Sequence, residues 1–139
     1  MSDYCTRDDI EDLFGVENVK KWADLDGDGN AVSIAARIAR AIVVASAHID
    51  DRLRGGPYVL PVAGSPATLV DLAAALAGIW LYEARGVEDY DEATGEIRDK
   101  VNARRKRAEK TLRDIRSGAI RLDATLANTG TTAPIVVND

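Results

Sequence analysis

Apolar side chains recur at intervals of three and four residues along most of the chain, which is the spacing of one face of an α-helix. The longest such stretch runs from Ala31 to about Leu53 and stops at Gly55-Gly56-Pro57, because glycine can cap a helix end and proline cannot continue it. A second apolar helix is predicted to start at Ser65-Pro66, with Ser65 as the cap and Pro66 as the first helical residue, and to end near Gly86. The pattern therefore predicts two long helices that carry much of the core.

A third long helix is predicted between Asp89 and Ser117, where the apolar positions are spaced like a heptad repeat. Gly95 lies in its first turns, so the helix could instead begin at about Thr94. Its apolar positions are Ile97, Val101, Ala108, Leu112 and Ile115. The other positions are rich in lysine and arginine, so this helix should present one narrow apolar seam and a broad basic face.

Two shorter helices are predicted before these three. Thr6 is expected to cap the first, which ends at Gly15, and apolar side chains three residues apart from Val16 to Trp22 predict the second. The segment Tyr58–Val62 is expected to be extended and is too short to seed a sheet. The sequence thus predicts an all-α fold: a small helical domain of residues 1–123, with about three long helices and short N-terminal ones.

Residues 124–139 change in character, because they are polar and β-branched and show no helical period. We expect them to form an extended C-terminal arm without a core of its own. Within it, Ile135, Val136 and Val137 could anchor the arm on a partner by adding a strand to a neighbouring chain. The alternative is a frayed terminus.

Charge is unevenly distributed along this chain of 139 residues with net charge −5. Residues 1–30 contain nine acids and three bases, a net of −6, whereas residues 98–116 contain nine bases and three acids, a net of +6. The two stretches could simply be solvated faces. They could also make the molecule dipolar, which favours head-to-tail packing of copies in a ring.

The basic helix is the candidate for contact with nucleic acid or with a neighbouring subunit. Its candidate residues are Arg98, Arg104, Arg105 and Arg107. No aromatic side chain is interleaved with these bases, no DNA-binding motif is present, and the pI of about 4.9 opposes dedicated DNA binding. Any DNA contact is therefore expected to involve phosphates without sequence recognition.

No membrane partner is expected, because the chain lacks a run of about 18 uncharged apolar residues. The acidic N-terminus also lacks the basic and then apolar layout of a signal peptide. The single cysteine, Cys5, excludes an internal disulfide. These features indicate a protein that is made and assembled inside a cell.

An acidic loop at residues 24–30 precedes the longest helix. Asp24, Asp26 and Asp28 fit positions one, three and five of an EF-hand calcium loop, and Gly29 fits the turn at position six. Positions nine and twelve are Val32 and Ala35, which are not ligands. The loop is therefore interpreted chiefly as the turn that starts the helix, with a weak Ca²⁺ or Mg²⁺ site at the three aspartates as the alternative.

No catalytic residues are predicted. His48 is the single histidine, and a lone helical histidine is usually a packed or partly exposed residue. No serine, cysteine or lysine has a visible partner for nucleophilic catalysis, and no phosphate-binding loop follows the glycines at 27 and 29. The sequence predicts no enzyme and no cofactor other than the calcium or magnesium ion already considered.

The order of short motifs resembles the Mu-like phage head–tail adaptor family, across about residues 4–122. The motifs here are D-x-D-G-D-G at 24–29, I-D-x-x-L at 49–53, Y-x-L-P at 58–61, W-L-Y-E-A-R-G at 80–86 and S-G-A-I-x-L at 117–122. No one of them is specific, but their order and spacing carry the resemblance. The sequence departs from the family pattern in its longer tail beyond Leu122.

The resemblance implies an all-α connector fold and a structural virion protein that is not an enzyme. It implies a ring of twelve subunits between portal and tail, through which DNA passes. The implied partners are the portal protein, docked by the C-terminal segment, and a tail-side connector or terminator protein. The implied location is the head–tail interface of the virion, after assembly in the host cytoplasm. The alternatives are a calcium-dependent interaction module built on the acidic loop, and a DNA-binding accessory protein.

Overall fold

A computed structural model of the chain describes residues 3–85 and 92–124. These residues form five α-helices and no β-strand: α1 (Arg7–Phe14), α2 (Val16–Ala23), α3 (Ala31–Leu53), α4 (Ala67–Arg85) and α5 (Glu92–Ser117). The all-α prediction, with three long helices after two short ones, is confirmed. The predicted arm lies outside the described residues except for Ala124, and so do the predicted helix boundaries at Gly86 and Asp89.

One helix start differs from the sequence prediction. Helix α4 begins at Ala67, because the Pro66 carbonyl accepts hydrogen bonds from the amides of Leu69 and Val70 and so occupies the cap position. Ser65 has a positive φ of 46° and is not the cap. Helix α5 already includes Glu92, so it does not begin at the alternative Thr94, and the start at Asp89 stays a prediction.

The N-terminal helices begin and end where local chemistry requires. The Thr6 side chain accepts from the Asp9 amide, and the Asp9 carboxylate accepts from the Thr6 amide at 2.8 Å, which completes a capping box for α1. Gly15 then adopts a φ of 92°, a conformation open to glycine at little cost, and turns the chain directly into α2. The predicted roles of Thr6 and Gly15 are confirmed.

Helix α4 forms the centre of the domain and contacts all four other helices. Most of its length is buried, including the run from Leu72 to Ala77. Alanine supplies four of those six residues, so neighbouring helices can approach α4 closely on several sides. Helix α3 packs against it through a face of β-branched and alanine side chains, and α5 closes the bundle with Val101, Ala108, Leu112 and Ile115.

Helices α3 and α4 are both long and apolar enough to cross a membrane by length and composition alone. Core helices of soluble proteins share this property, and α3 and α4 pack their apolar faces on each other. The packing buries 56% of the apolar stretch of α4 and 39% of that of α3.

A row of aromatic side chains fastens α1 and α2 to α4. The Phe14 ring lies against Gly78, where a Cβ atom would come within 2.1 Å of the ring. Trp22 contacts Phe14 edge-to-face at a centroid distance of 5.4 Å and contacts Tyr82 in the same manner at 5.3 Å. The Arg104 guanidinium of α5 lies 5.0 Å from the Phe14 centroid and covers the row.

The segment before α1 is held by Tyr4, which is 3% exposed. Its amide donates to the Ser46 hydroxyl at 3.1 Å, and its own hydroxyl donates to the Asp50 carboxylate and accepts from the Val62 amide at 2.8 Å. Burial, followed by the hydrogen bond to Asp50, raises the pKa of Tyr4 well above its ordinary value. Tyr4 therefore stays protonated and joins the N-terminus, α3 and the segment after it.

The chain after α5 is tied back in a similar way. The Tyr58 hydroxyl accepts from the Leu122 amide at 2.7 Å, and both side chains are buried. Residues 118–122 therefore belong to the domain and do not form the start of an arm.

We expect Gly78→Ala to lower the free energy of unfolding by about 1–3 kcal/mol, because the new methyl group overlaps the Phe14 ring and outweighs the gain in helix propensity. Urea unfolding measures the change. The double variant Gly78→Ala/Phe14→Leu should lose less than the sum of the two single variants, because the smaller side chain relieves the overlap. Additive losses would contradict this role for the contact.

We expect Tyr4→Phe to destabilise the fold by about 1–3 kcal/mol, because it leaves the Asp50 carboxylate and the Val62 amide without their partner. The matched control is Tyr82→Phe, since the buried Tyr82 hydroxyl has no hydrogen-bond partner among residues 3–85 and 92–124. Chemical denaturation should show a loss for Tyr4→Phe and almost none for the control. Equal effects would show that the hydrogen bonds of Tyr4 contribute little.

Candidate functional surfaces

The acidic loop is organised by hydrogen bonds from its own backbone. The two carboxylate oxygens of Asp24 accept from the amides of Gly27 and Gly29 at 3.1 and 3.0 Å. Both glycines have a φ near 70°, which a side chain would strain. The Asp28 carboxylate accepts from the Asn30 amide at 3.0 Å. Two of the three aspartates thus shape the turn itself.

Asn30 is the residue that begins α3. Its side-chain oxygen accepts from the amides of Val32 and Ser33 at 3.0 and 3.1 Å, so two of the unpaired amides of the first turn are satisfied. This geometry supports the interpretation of the loop as a helix start. Among residues 3–85 and 92–124, no group of three or more His, Cys, Asp or Glu side chains is arranged to hold a metal ion. Metal binding by Asp24, Asp26 and Asp28 stays a prediction.

Asp26 differs from the other two aspartates of the loop. It is exposed, and within the described part of the chain it makes no hydrogen bond. Leu25 beside it is 46% exposed, and Val32 in the first turn of α3 is 79% exposed. The loop therefore presents a carboxylate that makes no hydrogen bond within the described residues, next in sequence to an exposed leucine.

The four candidate arginines of α5 fall into two groups. Arg104 stacks on Phe14, and Arg105 forms an ion pair with Glu83 of α4. Arg98 and Arg107 are exposed. Arg104 and Arg107 line the same groove beside Asp71 of α4. Two of the four arginines, Arg104 and Arg105, thus make contacts within the subunit.

Other bases on the exposed side of α5 were not singled out by the sequence. Lys106 and Arg113 are exposed and have no ion-pair partner among the described residues, whereas Lys110 pairs with Asp114 at 2.9 Å. The spacing of seven residues between Lys106 and Arg113 could have indicated that both are exposed, since positions seven apart lie on nearly the same face of a helix.

An unanticipated groove lies between the end of α3 and the last turns of α5, with a volume of about 510 Å³. We call it the arginine groove. Its lining residues are Asp51, Arg52, Arg54, Glu109, Leu112, Arg113 and Arg116. The sequence could not reveal it, because about 60 residues separate its two halves.

His48 belongs to a polar contact between helices at the edge of this groove. Its Nε2 atom lies 2.9 Å from Glu109, whose other carboxylate oxygen lies 3.5 Å from Arg52. The three side chains join α3 to α5. This arrangement accounts for the single histidine as a packed residue.

Cys5 is buried and lies beside the acidic start of the chain. Burial, with the negative charges of Asp9 and Asp3, raises the pKa of the Cys5 thiol to about 12. A thiol of that pKa is almost entirely protonated near neutral pH and is a poor nucleophile. The structure thus gives Cys5 a packing role.

The predicted docking residues Ile135, Val136 and Val137 lie outside the described residues.

Comparison with known proteins gives one family match. The family model described as Bacteriophage Mu, Gp36 matches residues 4–137. The match spans the helical domain and most of the segment that follows it. No curated protein matches the chain.

We expect Asn30→Ala to lower the free energy of unfolding by about 1 kcal/mol, because two amides at the start of α3 lose their acceptor. Asp26→Ala should leave stability almost unchanged, since Asp26 accepts no hydrogen bond in the described structure. Thermal unfolding of both variants, with and without millimolar calcium, measures the effects. If calcium raised the melting temperature of the parent protein and Asp26→Ala removed the rise, the loop would be a metal site and not only a helix start.

Proposed function

The chain belongs to the Bacteriophage Mu, Gp36 family, which makes it a phage structural or assembly protein, and from that premise we propose that it is a head–tail adaptor. In this role it is a subunit of a ring between portal and tail through which DNA passes. The proposed location is the head–tail interface of the virion. The observation that carries the proposal is the family match over residues 4–137. The order of motifs by which the sequence resembles phage adaptors supports it.

The positions of the sequence motifs in the fold support this proposal, because several motif residues are buried where helices contact each other. Leu53 of the second motif, Tyr58 of the third and Leu122 of the last are all buried, and the Tyr58 hydroxyl binds the Leu122 amide. The first motif starts α3, and Tyr82 of the fourth ends the aromatic row. The motifs thus include residues that fix how the helices pack together, as a subunit of an assembly requires.

A structural role, rather than an enzymatic one, is part of the proposal. The side chains with the chemistry for catalysis are used in packing: Cys5 is buried with a raised pKa, and His48 bridges α3 and α5 through Glu109. A rigid helical block with charged surfaces at different places suits a ring subunit.

The proposed partners are further copies of this chain in a twelve-fold ring, the portal protein, and a tail-side connector or terminator protein. Contact with passing DNA would be through phosphates and without sequence recognition. Arg98 and Arg107 are the predicted arginines that stay exposed for such contact, whereas Arg104 and Arg105 are engaged within the subunit. Docking on the portal is proposed for Ile135–Val137.

The proposal predicts that the protein co-purifies with mature phage particles and that the isolated protein binds purified portal. Deletion of residues 125–139 should abolish portal binding. It should leave the melting temperature unchanged, because Leu122 and Ala124, which pack on the core, are retained. Particle composition and a pull-down with portal provide the measurements.

Two outcomes would contradict separate parts of this proposal. Undiminished portal binding after the deletion would show that the arm is not the docking element. Absence of the protein from mature particles would overturn the adaptor role as a whole.

A further inference from the structure

Four arginines from two distant parts of the chain converge on the arginine groove. Arg52 and Arg54 lie at the C-terminal end of α3, and Arg113 and Arg116 lie in the last turns of α5. Leu112 also lies in the lining, but its side chain is buried in the core. Exposed guanidinium groups that lack a carboxylate partner form a site for a carboxylate.

Arg116 is held in place before any ligand arrives. Its Nε atom donates to the Arg54 carbonyl at 3.2 Å. Its side chain crosses the Gly55-Gly56 turn, where a Cβ atom at either glycine would come within 3.0–3.1 Å of it. Gly55 also has a φ of 87°, so glycine serves both the turn and the arginine. A guanidinium fixed in this way loses little conformational entropy when it binds.

The groove keeps an excess of positive charge. Arg54 pairs with Asp51 at 2.6 Å, and Arg52 lies 3.5 Å from Glu109. Within the described residues, Arg113 and Arg116 have no carboxylate partner. Four arginines and two carboxylates leave a net charge of +2, and the uncompensated charges belong to Arg113 and Arg116.

The acidic loop has complementary properties. Asp26 is exposed without a hydrogen bond in the described structure. Residues 1–30, which end with this loop, carry a net charge of −6. The loop thus offers an accessible carboxylate to the uncompensated arginines of the groove.

The loop and the groove lie at opposite ends of α3. The loop ends at Asn30, which caps the first turn, and the groove begins at Asp51 in the last turn. A helix of 23 residues is about 34 Å long at 1.5 Å per residue. One copy therefore cannot place its own loop in its own groove, and the two surfaces can meet only between copies.

We propose that the acidic loop of one copy docks in the arginine groove of a second copy of this chain, with Asp26 bound by Arg113 and Arg116. Such a contact joins two different surfaces, so it repeats head to tail and closes into a ring when the rotation per copy allows. The inference rests on the proposed function and deepens it, because it names the surfaces through which the proposed ring assembles.

A protein carboxylate fits the groove better than a DNA phosphate does. Asp51 and Glu109 lie in the lining and would repel a phosphate chain that passed along it. The net charge of −5 for the chain also opposes general attraction to DNA. A single carboxylate needs only Arg113 and Arg116, which have no carboxylate partner among the described residues.

Sedimentation velocity of the full chain at increasing concentration, at low salt and at 0.5 M salt, tests the proposal. The parent protein should self-associate, and more weakly at high salt because exposed ion pairs are screened. Asp26→Arg and Arg113→Glu should each weaken association about tenfold or more. A mixture of the two variants should associate again, because the Asp26 loop of one variant meets the Arg113 groove of the other.

Lys106→Glu is the matched control, since Lys106 is also exposed on α5 without an ion-pair partner in the described residues but lies outside the groove. It should associate like the parent protein. The proposal is overturned if the parent protein stays monomeric at millimolar concentration, or if Lys106→Glu weakens association as much as Arg113→Glu. The groove would be a phosphate site instead if duplex DNA bound the parent protein but not Arg113→Glu, and if Asp26→Arg left self-association unchanged.

The same experiments separate this inference from the adaptor role. If the protein is present in mature particles but its self-association is unchanged by both charge reversals, the loop-to-groove contact alone is refuted. If the protein associates through these surfaces but is absent from mature particles, the adaptor role alone is refuted.

Discussion

The burial of α4 on almost every side is the constraint on which the rest of the structure depends. A helix that contacts four others needs small side chains where the neighbours approach, and α4 supplies them in its run of alanines and at Gly78. At Gly78 the approach is so close that the Phe14 ring occupies the position of a side chain. The short helices α1 and α2, which would be unstable alone, gain their order from this contact and from the aromatic row beside it.

The core is filled mainly by aliphatic and alanine side chains. The polar side chains at its edges form hydrogen bonds and ion pairs that connect one structural element to another. Tyr4 ties the N-terminus to α3 and to Val62, Tyr58 ties the end of the domain to Leu122, and His48 joins α3 to α5. A buried hydroxyl that satisfies two partners stabilises one arrangement of the chain and penalises others. The result is a block with defined surfaces, which is what a subunit of a larger assembly requires.

In the acidic loop, some residues stabilise the turn and others stay exposed on the surface. Asp24 and Asp28 accept backbone amides and set the turn, and Asn30 starts α3. Asp26 does none of this and remains exposed. Arginines divide in a similar way, because Arg104 and Arg105 hold the subunit together while Arg98, Arg107 and Arg113 face outward. Charge patterns that look uniform along the sequence thus separate into internal and external tasks once the helices pack.

The sequence by itself determined the helices, because helix limits follow from local hydrogen bonding. Ala31–Leu53 was predicted with the bounds that the structure has, and the Thr6 cap and the Gly15 break were also foreseen. Even the error at Ser65 was a shift of one residue, which arose because Ser65 adopts a positive φ before proline. The tertiary structure alone decided which charges meet. Arg54 and Arg116, or Tyr4 and Val62, lie about 60 residues apart, and no periodicity connects such positions. The packing of α3 against α5 brings Arg116 to the Arg54 carbonyl, and the return of the chain after α3 brings the Val62 amide to the Tyr4 hydroxyl.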